Sequence, residues 1–257
     1  MQNRVFVVTG ASRGVGLAIA KKVLEEGSSV VINGRSEESL TEALEVLNGG
    51  DRCLAVPGSV ASEEHVIELF EKAKERFGTV DCLVNNAGTA LLATVTETSL
   101  QDWNDQLAVH ATGTFLASRQ VLKLWKELKK SGSIVNISSV SGKVGSQLAT
   151  AYSAAKAAVL GFTKALAKEV APAGVRVNAI CPGAVETKLF MEDTLGVMAQ
   201  RFSSTTDALL KGTLSAIPLK RLLSPDEVAE LALYLCSDKA MGITGQTFTI
   251  SCGFDIH

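Results

Sequence analysis

Seven short apolar runs rich in β-branched residues alternate with longer amphipathic stretches, and that alternation restricts the fold more than any other feature of the chain. The runs are RVFVVT (4–9), SVVIN (29–33), RCLAV (52–56), DCLVN (81–85), SIVNIS (133–138), VRVNAI (175–180) and TFTIS (247–251). Several are almost continuously apolar, as strands covered on both faces must be. Between them lie GLAIAKKVLEEG, SEESLTEALEVL, SEEHVIELFEKAKERFG, a long stretch from Ser99 to Lys130, AYSAAKAAVLGFTKALAKEVA and SPDEVAELALYLCS. Strand and helix in repetition predict an α/β fold, a parallel sheet with crossover helices. SEES and SEEH open with a serine followed by acids, and SPDE adds proline at the first helical position, so each marks a helix start. Residues 187–217 break the rhythm and read as an inserted helical flap. The chain has no linker and no fixed repeat. One domain over residues 1–257 is therefore expected, with 46% hydrophobic residues to fill its core.

The charge balance narrows the partners. A net charge of −2 leaves no electrostatic footprint for nucleic acid or an anionic membrane. The most basic run, KLWKELKK (123–130), reads as the solvated end of a helix, where cations suit the dipole. Cys53, Cys82, Cys181, Cys236 and Cys252 are odd in number and contain no CxxC pair, which favours reduced, buried thiols over a disulfide framework or a zinc site. His65, His110 and His257 show no ligand spacing, so no metal is expected. The first strand starts at Arg4, no apolar run reaches spanning length, and a cytoplasmic location is the expectation.

Two segments carry chemistry. TGASRGVG (Thr9–Gly16) follows a strand and opens a helix. There Gly10, Gly14 and Gly16 would permit a tight turn, backbone approach to a pyrophosphate and close helix–sheet packing. Its TGxxxGxG spacing differs by one residue from the GxGxxG fingerprint, and by itself fits a plain glycine-rich turn equally well. Tyr152 and Lys156 lie at i and i+4, on one helix face and about 6 Å apart along the axis. A phenol beside an ammonium ionises more readily than its free pKa of roughly 10 suggests. That pair suits proton transfer to a carbonyl oxygen during hydride transfer, although Tyr152 alone reads as a half-buried helix aromatic.

TGASRGVG, NNAG (Asn85–Gly88), Ser139, the Tyr152–Lys156 pair and CPGAVET (Cys181–Thr187) occur in an order and spacing that resemble the short-chain dehydrogenase/reductase family. The resemblance covers nearly the full chain and is strongest to members of the 3-oxoacyl-carrier-protein reductase type. It implies a single Rossmann-like, doubly wound domain with a seven-stranded parallel sheet. It also implies a homotetramer or homodimer packed partly through residues 99–130 and 150–172. Carried over residue by residue, Tyr152 would be general acid in ketone reduction and base in alcohol oxidation. Lys156 would hold the nicotinamide ribose and lower the tyrosine pKa, and Ser139 would bond the substrate oxygen, with Ser138 a structural neighbour. Cofactor contacts would come from Gly10, Ser12, Arg13, Gly14, Val15 and Gly16, from Ser59 and Val60 at the adenine edge, and from Asn85, Ala87 and Gly88 along the adenosine. Pro182, Gly183, Val185 and Thr187 would flank the nicotinamide.

Three positions depart from the family pattern. His110 stands where relatives carry an Asn that supports a kink in the long helix, whose freed carbonyl holds a water bonded to the lysine. His110 could be a packed neutral spacer, join the proton path or impair turnover. A working enzyme with an altered relay is the reading adopted, and a non-catalytic cofactor-binding protein is its alternative. Ser59 replaces a common Asp, and Ser251-Cys252-Gly253 replaces an acidic-Gly-Gly ending, which bears on assembly more than on chemistry.

Cofactor choice follows from the second strand, which ends Ile32-Asn33-Gly34-Arg35 without the acid that would bind an adenosine 2′-hydroxyl. Arg35 could grip a 2′-phosphate with its fork, and the resemblance implies the same for Arg13 in the glycine loop, as in related NADP-dependent members. The competing reading makes both surface charges, with Glu37 and Glu38 near enough to pair with Arg35. NADP(H) is expected, with NAD(H) as the alternative. The substrate is expected to be a small carbonyl or alcohol. Leu189, Phe190, Met191, Leu195, Val197, Met198 and Phe202 of the flap, residues 91–95, Val144 and Leu148 would suit an apolar or mixed ketone, although any amphipathic lid shows such a stripe. Lys143 and Lys188 could attract an anionic carrier but read as solvated.

Overall fold

The computed structural model describes residues 2–254. All seven expected strands form: β1 (Val5–Val8), β2 (Ser29–Gly34), β3 (Cys53–Pro57), β4 (Cys82–Asn85), β5 (Ser133–Ile137), β6 (Arg176–Pro182) and β7 (Thr247–Ile250). They make one parallel sheet in the order β3-β2-β1-β4-β5-β6-β7. The order reverses between β1 and β4, and a crevice opens there at the carboxyl ends of the strands, where α/β sheets bind ligands.

Helices cover both faces. On one side α1 (Gly14–Glu25), α2 (Glu37–Leu47) and α10 (Pro225–Cys236) bury Ile19, Val23, Leu40, Val228 and Leu235 against Phe6, Val8, Ile32 and Ile180. On the other, α3 (Glu63–Phe77), α5 (Gly113–Leu128) and α7 (Thr150–Val170) bury Leu69, Phe70, Val121, Trp125 and Leu166 against Val7, Leu83 and Ile134. Each such fully buried large side chain contributes about 1.5–3 kcal/mol. The Trp125 indole N–H is satisfied by the Val80 carbonyl at 2.6 Å.

The capping residues act as their chemistry dictates. Ser36 and Ser62 accept the amides of Ser39 and His65, and Ser224 forms a reciprocal box with Glu227. The stretch 99–130 is interrupted rather than one continuous helix. After α4 (Leu100–Leu107) a π-turn spans Ala108–Thr112, in which the Gly113 amide reaches back to Ala108, and α5 follows. An inserted residue of this kind widens the helix locally and re-aims the side chains beside it. The sequence pattern did not announce α6 (Ser141–Val144), a single turn between β5 and α7. Residues 187–217 fold as a π-turn at Leu189–Thr194, then α8 (Leu195–Arg201) and α9 (Thr206–Ala216). All five cysteines are free; Cys53 is half-buried and the other four are buried. No described helix is long and apolar enough to cross a membrane.

Candidate active site

The glycine loop packs against the turn after β4. Gly10 has φ +63°, and a Cβ there would stand 2.6 Å from Ala87 Cα; at Gly16 it would stand 2.4 Å from the Gly10 carbonyl oxygen. Only glycine allows this approach. Asn86, which the sequence reading did not single out, locks the two loops together. Its Nδ2 donates to the carbonyls of Thr9 (3.0 Å) and Gly10 (2.9 Å), while the Thr9 hydroxyl accepts the amides of Asn86 and Ala87. The signal that could have found it is its place in NNAG beside the glycine loop. Asn85 turns the other way, donating to Ser118 Oγ and Asn136 Oδ1 in the interior, so only its backbone can face the crevice.

This crevice suits a dinucleotide. The N-terminus of α1 has Arg13 at its cap, no side-chain cap and no acid in its first turn, so its amide donors remain available to an anion. Across the crevice Thr187 approaches Gly14, where a Cβ would stand 3.3 Å from Thr187 Cγ2. Pro182 ends β6, Gly183 follows it, and Val185 is bridged to Leu223. At the outer rim Ser12 packs near Gly34, which places Arg35, exposed and without an ion pair among the described residues, beside the glycine loop. Arg13 lies 3.7 Å from Asp193 of the flap segment. Asn33 holds the β2 end by donating to the carbonyls of Val56 and Gly58. Ser59 Oγ accepts the Ala61 amide, and Val60 is buried against Gly113.

β5 and α7 bring Ser139, Tyr152 and Lys156 together. Ser139 lies just past β5, and its Oγ accepts the Ser141 amide at 3.1 Å. Ser138 donates to the Lys156 carbonyl at 2.9 Å, which fixes α7 to the strand end. Lys156 is buried; its Nζ donates to the Ile137 carbonyl at 2.8 Å and lies 5.7 Å from the centre of the Tyr152 ring. Burial lowers the Lys156 pKa to about 8. The expected lowering of the tyrosine pKa is corrected here. Burial holds the Tyr152 phenol above its ordinary value, and only a hydrogen bond with Ser139 pulls the other way. The lysine ammonium, turned to Ile137, is not what sets it.

His110 sits in the π-turn, buried, with its ring edge-on to Tyr152 at 5.3 Å between centres. Its carbonyl accepts the Thr114 hydroxyl at 2.7 Å. Burial, and then the Lys156 charge, hold the imidazole neutral by pushing its pKa well below the usual value. Lys143 is not simply solvated, since its Nζ donates to Thr249 Oγ1 at 2.7 Å. Lys188 is exposed beside Glu192. In the flap Leu195 is buried, whereas Val197 and Phe202 remain exposed. No three His, Cys, Asp or Glu side chains converge as a metal set among the described residues, and His257 lies outside them.

Residues 10–255 match the family described as Enoyl-(Acyl carrier protein) reductase. The chain is 40% identical over 256 residues to a 3-oxoacyl-(acyl-carrier-protein) reductase of Aquifex aeolicus, covering 98% of each chain. To the corresponding enzyme of Synechocystis sp. it is 38% identical, covering 97% of this chain and 96% of that one. Its fold is similar to the crystal structure of an actinorhodin polyketide ketoreductase variant with NADPH, with a TM-score of 0.92, 36% identity and 99% of each chain covered. With the sheet order, the glycine crevice and the Ser139–Tyr152–Lys156 group in place, these likenesses show that the chain belongs to the short-chain dehydrogenase/reductase family of oxidoreductases.

Proposed function

We propose that the protein is an NADP(H)-dependent reductase that interconverts a small-molecule ketone and a secondary alcohol. The observation that carries this reading is the convergence of Ser139, Tyr152 and Lys156 at the strand ends beside the glycine crevice. When bound, the dinucleotide supplies or accepts the hydride. Its pyrophosphate would lie over the Gly10–Gly16 loop and the α1 N-terminus, with Arg35 and Arg13 toward a 2′-phosphate. Lys156 would hold the nicotinamide ribose hydroxyls. In the reductive direction Tyr152 hands its phenolic proton to the substrate oxygen, and in the oxidative direction it takes that proton back. The Ser139 hydroxyl donates to the same oxygen and steadies the charge that develops there.

The NADPH in the ketoreductase neighbour and the absence of an acid at the β2 tip support NADP(H) over NAD(H). We read residues 187–217 as a flap over the substrate within one domain, and five free thiols as suited to the cytoplasm. Homodimer or homotetramer assembly through α5 and α7 is supported by half-exposed Phe115, which stacks edge-on with Phe162 at 6.5 Å on their outer face.

Absorbance loss of NADPH and of NADH, followed with ketones, diketones and β-ketoacyl thioesters, tests the reading. Turnover with NADPH that falls at least a hundredfold in Tyr152→Phe is expected. Undiminished turnover in that variant removes Tyr152 from the chemistry, and preference for NADH removes the arginine argument.

A further inference from the structure

Thr89, the first residue past the Asn85–Gly88 turn, is gripped by two side chains one helical turn apart. Gln106 Nε2 donates to Thr89 Oγ1 at 3.0 Å. His110 Nε2 lies 2.9 Å from the Thr89 carbonyl oxygen and 3.3 Å from its amide nitrogen. Both side chains are buried. Their i and i+4 spacing spans the junction of α4 and the π-turn, which is why they reach one residue from two different local geometries. The chain then runs from Thr89 to Ala93, whose amide donates to the Leu148 carbonyl at 2.7 Å, four residues before Tyr152. A grip on Thr89 therefore fixes the cofactor-side turn and the wall beside Tyr152 together.

One imidazole nitrogen cannot serve a carbonyl and an amide at once, because it carries either a proton or a lone pair. The shorter contact selects the tautomer in which Nε2–H donates to the Thr89 carbonyl. Nδ1 is then a bare acceptor with no donor among the described residues. It faces Gly88, where a Cβ would stand 3.2 Å from it. The groups around the ring are the Lys156 ammonium and the Tyr152 phenol from α7, the neutral Gln106 and the uncharged Gly88–Thr89 turn. A second proton on the ring would place a cation near another in a buried site.

We propose that Gln106 and His110 are positioning residues, a two-point clamp on Thr89 that sets the cofactor turn against Tyr152, with His110 a fixed neutral hydrogen-bonding group rather than a proton carrier. The proposal rests on the reductase reading, and its test separates the two. Thr89→Val removes the hydroxyl that Gln106 uses and leaves the backbone that His110 uses. Gln106→Leu and Thr89→Val should each weaken NADPH binding about fivefold, the scale of one hydrogen bond, and the double variant should lose no more than either single one. His110→Ala should add in full to Thr89→Val. His110→Asn, which offers both a donor and an acceptor, should recover most of what His110→Ala loses while kcat/KM keeps its pH profile. Additive losses at Gln106 and Thr89, or an ionisation near neutral pH that vanishes in His110→Asn, overturn the clamp. Cofactor affinity is read by fluorescence and the His110 tautomer by imidazole ¹⁵N shifts, both without turnover. A protein inactive on every ketone would thus sink the reductase reading while the clamp is still decided. Where His110→Ala fails to fold, the Gln106–Thr89 cycle decides.

Discussion

Lys156 Nζ donates to the Ile137 carbonyl at 2.8 Å, tying a buried ammonium on α7 to the last residue of β5. The strand end thereby fixes the lysine near the tyrosine ring before any ligand arrives. It also makes the ammonium costly, since one neutral carbonyl replaces its hydration.

That cost has a pH signature. The folded pKa of about 8 lies below the usual 10.5, so between those values the unfolded chain binds more protons than the folded one. Stability from this group is therefore lowest below about pH 8 and recovers as pH rises toward 10.5. Urea unfolding of the protein and of Lys156→Met across that window should show the protein gaining up to about 3 kcal/mol relative to the variant. A pH-independent difference would mean that Lys156 titrates alike in both states.

Two glycines should respond in opposite senses to alanine. At Gly16 the new Cβ meets the Gly10 carbonyl and Asn86 Nδ2 within 2.5 Å, and both belong to the locked pair of loops. Gly16→Ala should cost about 1–3 kcal/mol and weaken NADPH binding at least about tenfold. At Gly212, inside α9, nothing lies within 4 Å of the added methyl. Gly212→Ala should stabilise by about 0.5–1 kcal/mol. Thermal unfolding and cofactor titration of the two variants check both expectations.

Arg35 gives the sharpest reading of cofactor choice, because it is exposed at the β2 tip and, among the described residues, makes no ion pair even with Glu37 and Glu38 close in sequence. Arg35→Ala should raise KM for NADPH about tenfold or more and move KM for NADH by less than about twofold. Initial rates with both cofactors decide it; equal changes would assign Arg35 to general electrostatics instead.

Lys129 ends α5 in the left-handed region at φ +52° and is exposed. Glycine occupies that conformation without the steric cost a side chain carries, so Lys129→Gly should raise stability by about 0.5–1 kcal/mol in denaturant melts. A loss would mean that the cation's interaction with the helix end outweighs the backbone strain.

Strand positions, helix starts and the glycine loop were legible because each depends on local rules. A buried parallel strand must be apolar throughout, a serine cap must precede its helix, and a phosphate turn must shed side chains. The Tyr152–Lys156 spacing fixed their shared helix face for the same reason. Ser139 was recognisable only through resemblance, since a lone serine after a strand has no signature of its own.

Tertiary structure decided what depends on neighbours distant in sequence. It turned Asn85 inward and made Asn86 the lock between β1 and β4, because these contacts join Asn85 to Asn136, 51 residues on, and Asn86 to Thr9, 77 residues back. It raised the Tyr152 pKa instead of lowering it, since burial is a sum over the whole surrounding protein and the lysine had turned to Ile137. It broke the stretch from Ser99 to Lys130 with a π-turn that carries His110 to Thr89. Local pattern thus determined which elements this chain makes and where its glycine loop lies. Only the packing of those elements determined which polar atoms meet, because desolvation and hydrogen bonding are settled by partners that sequence spacing does not reveal.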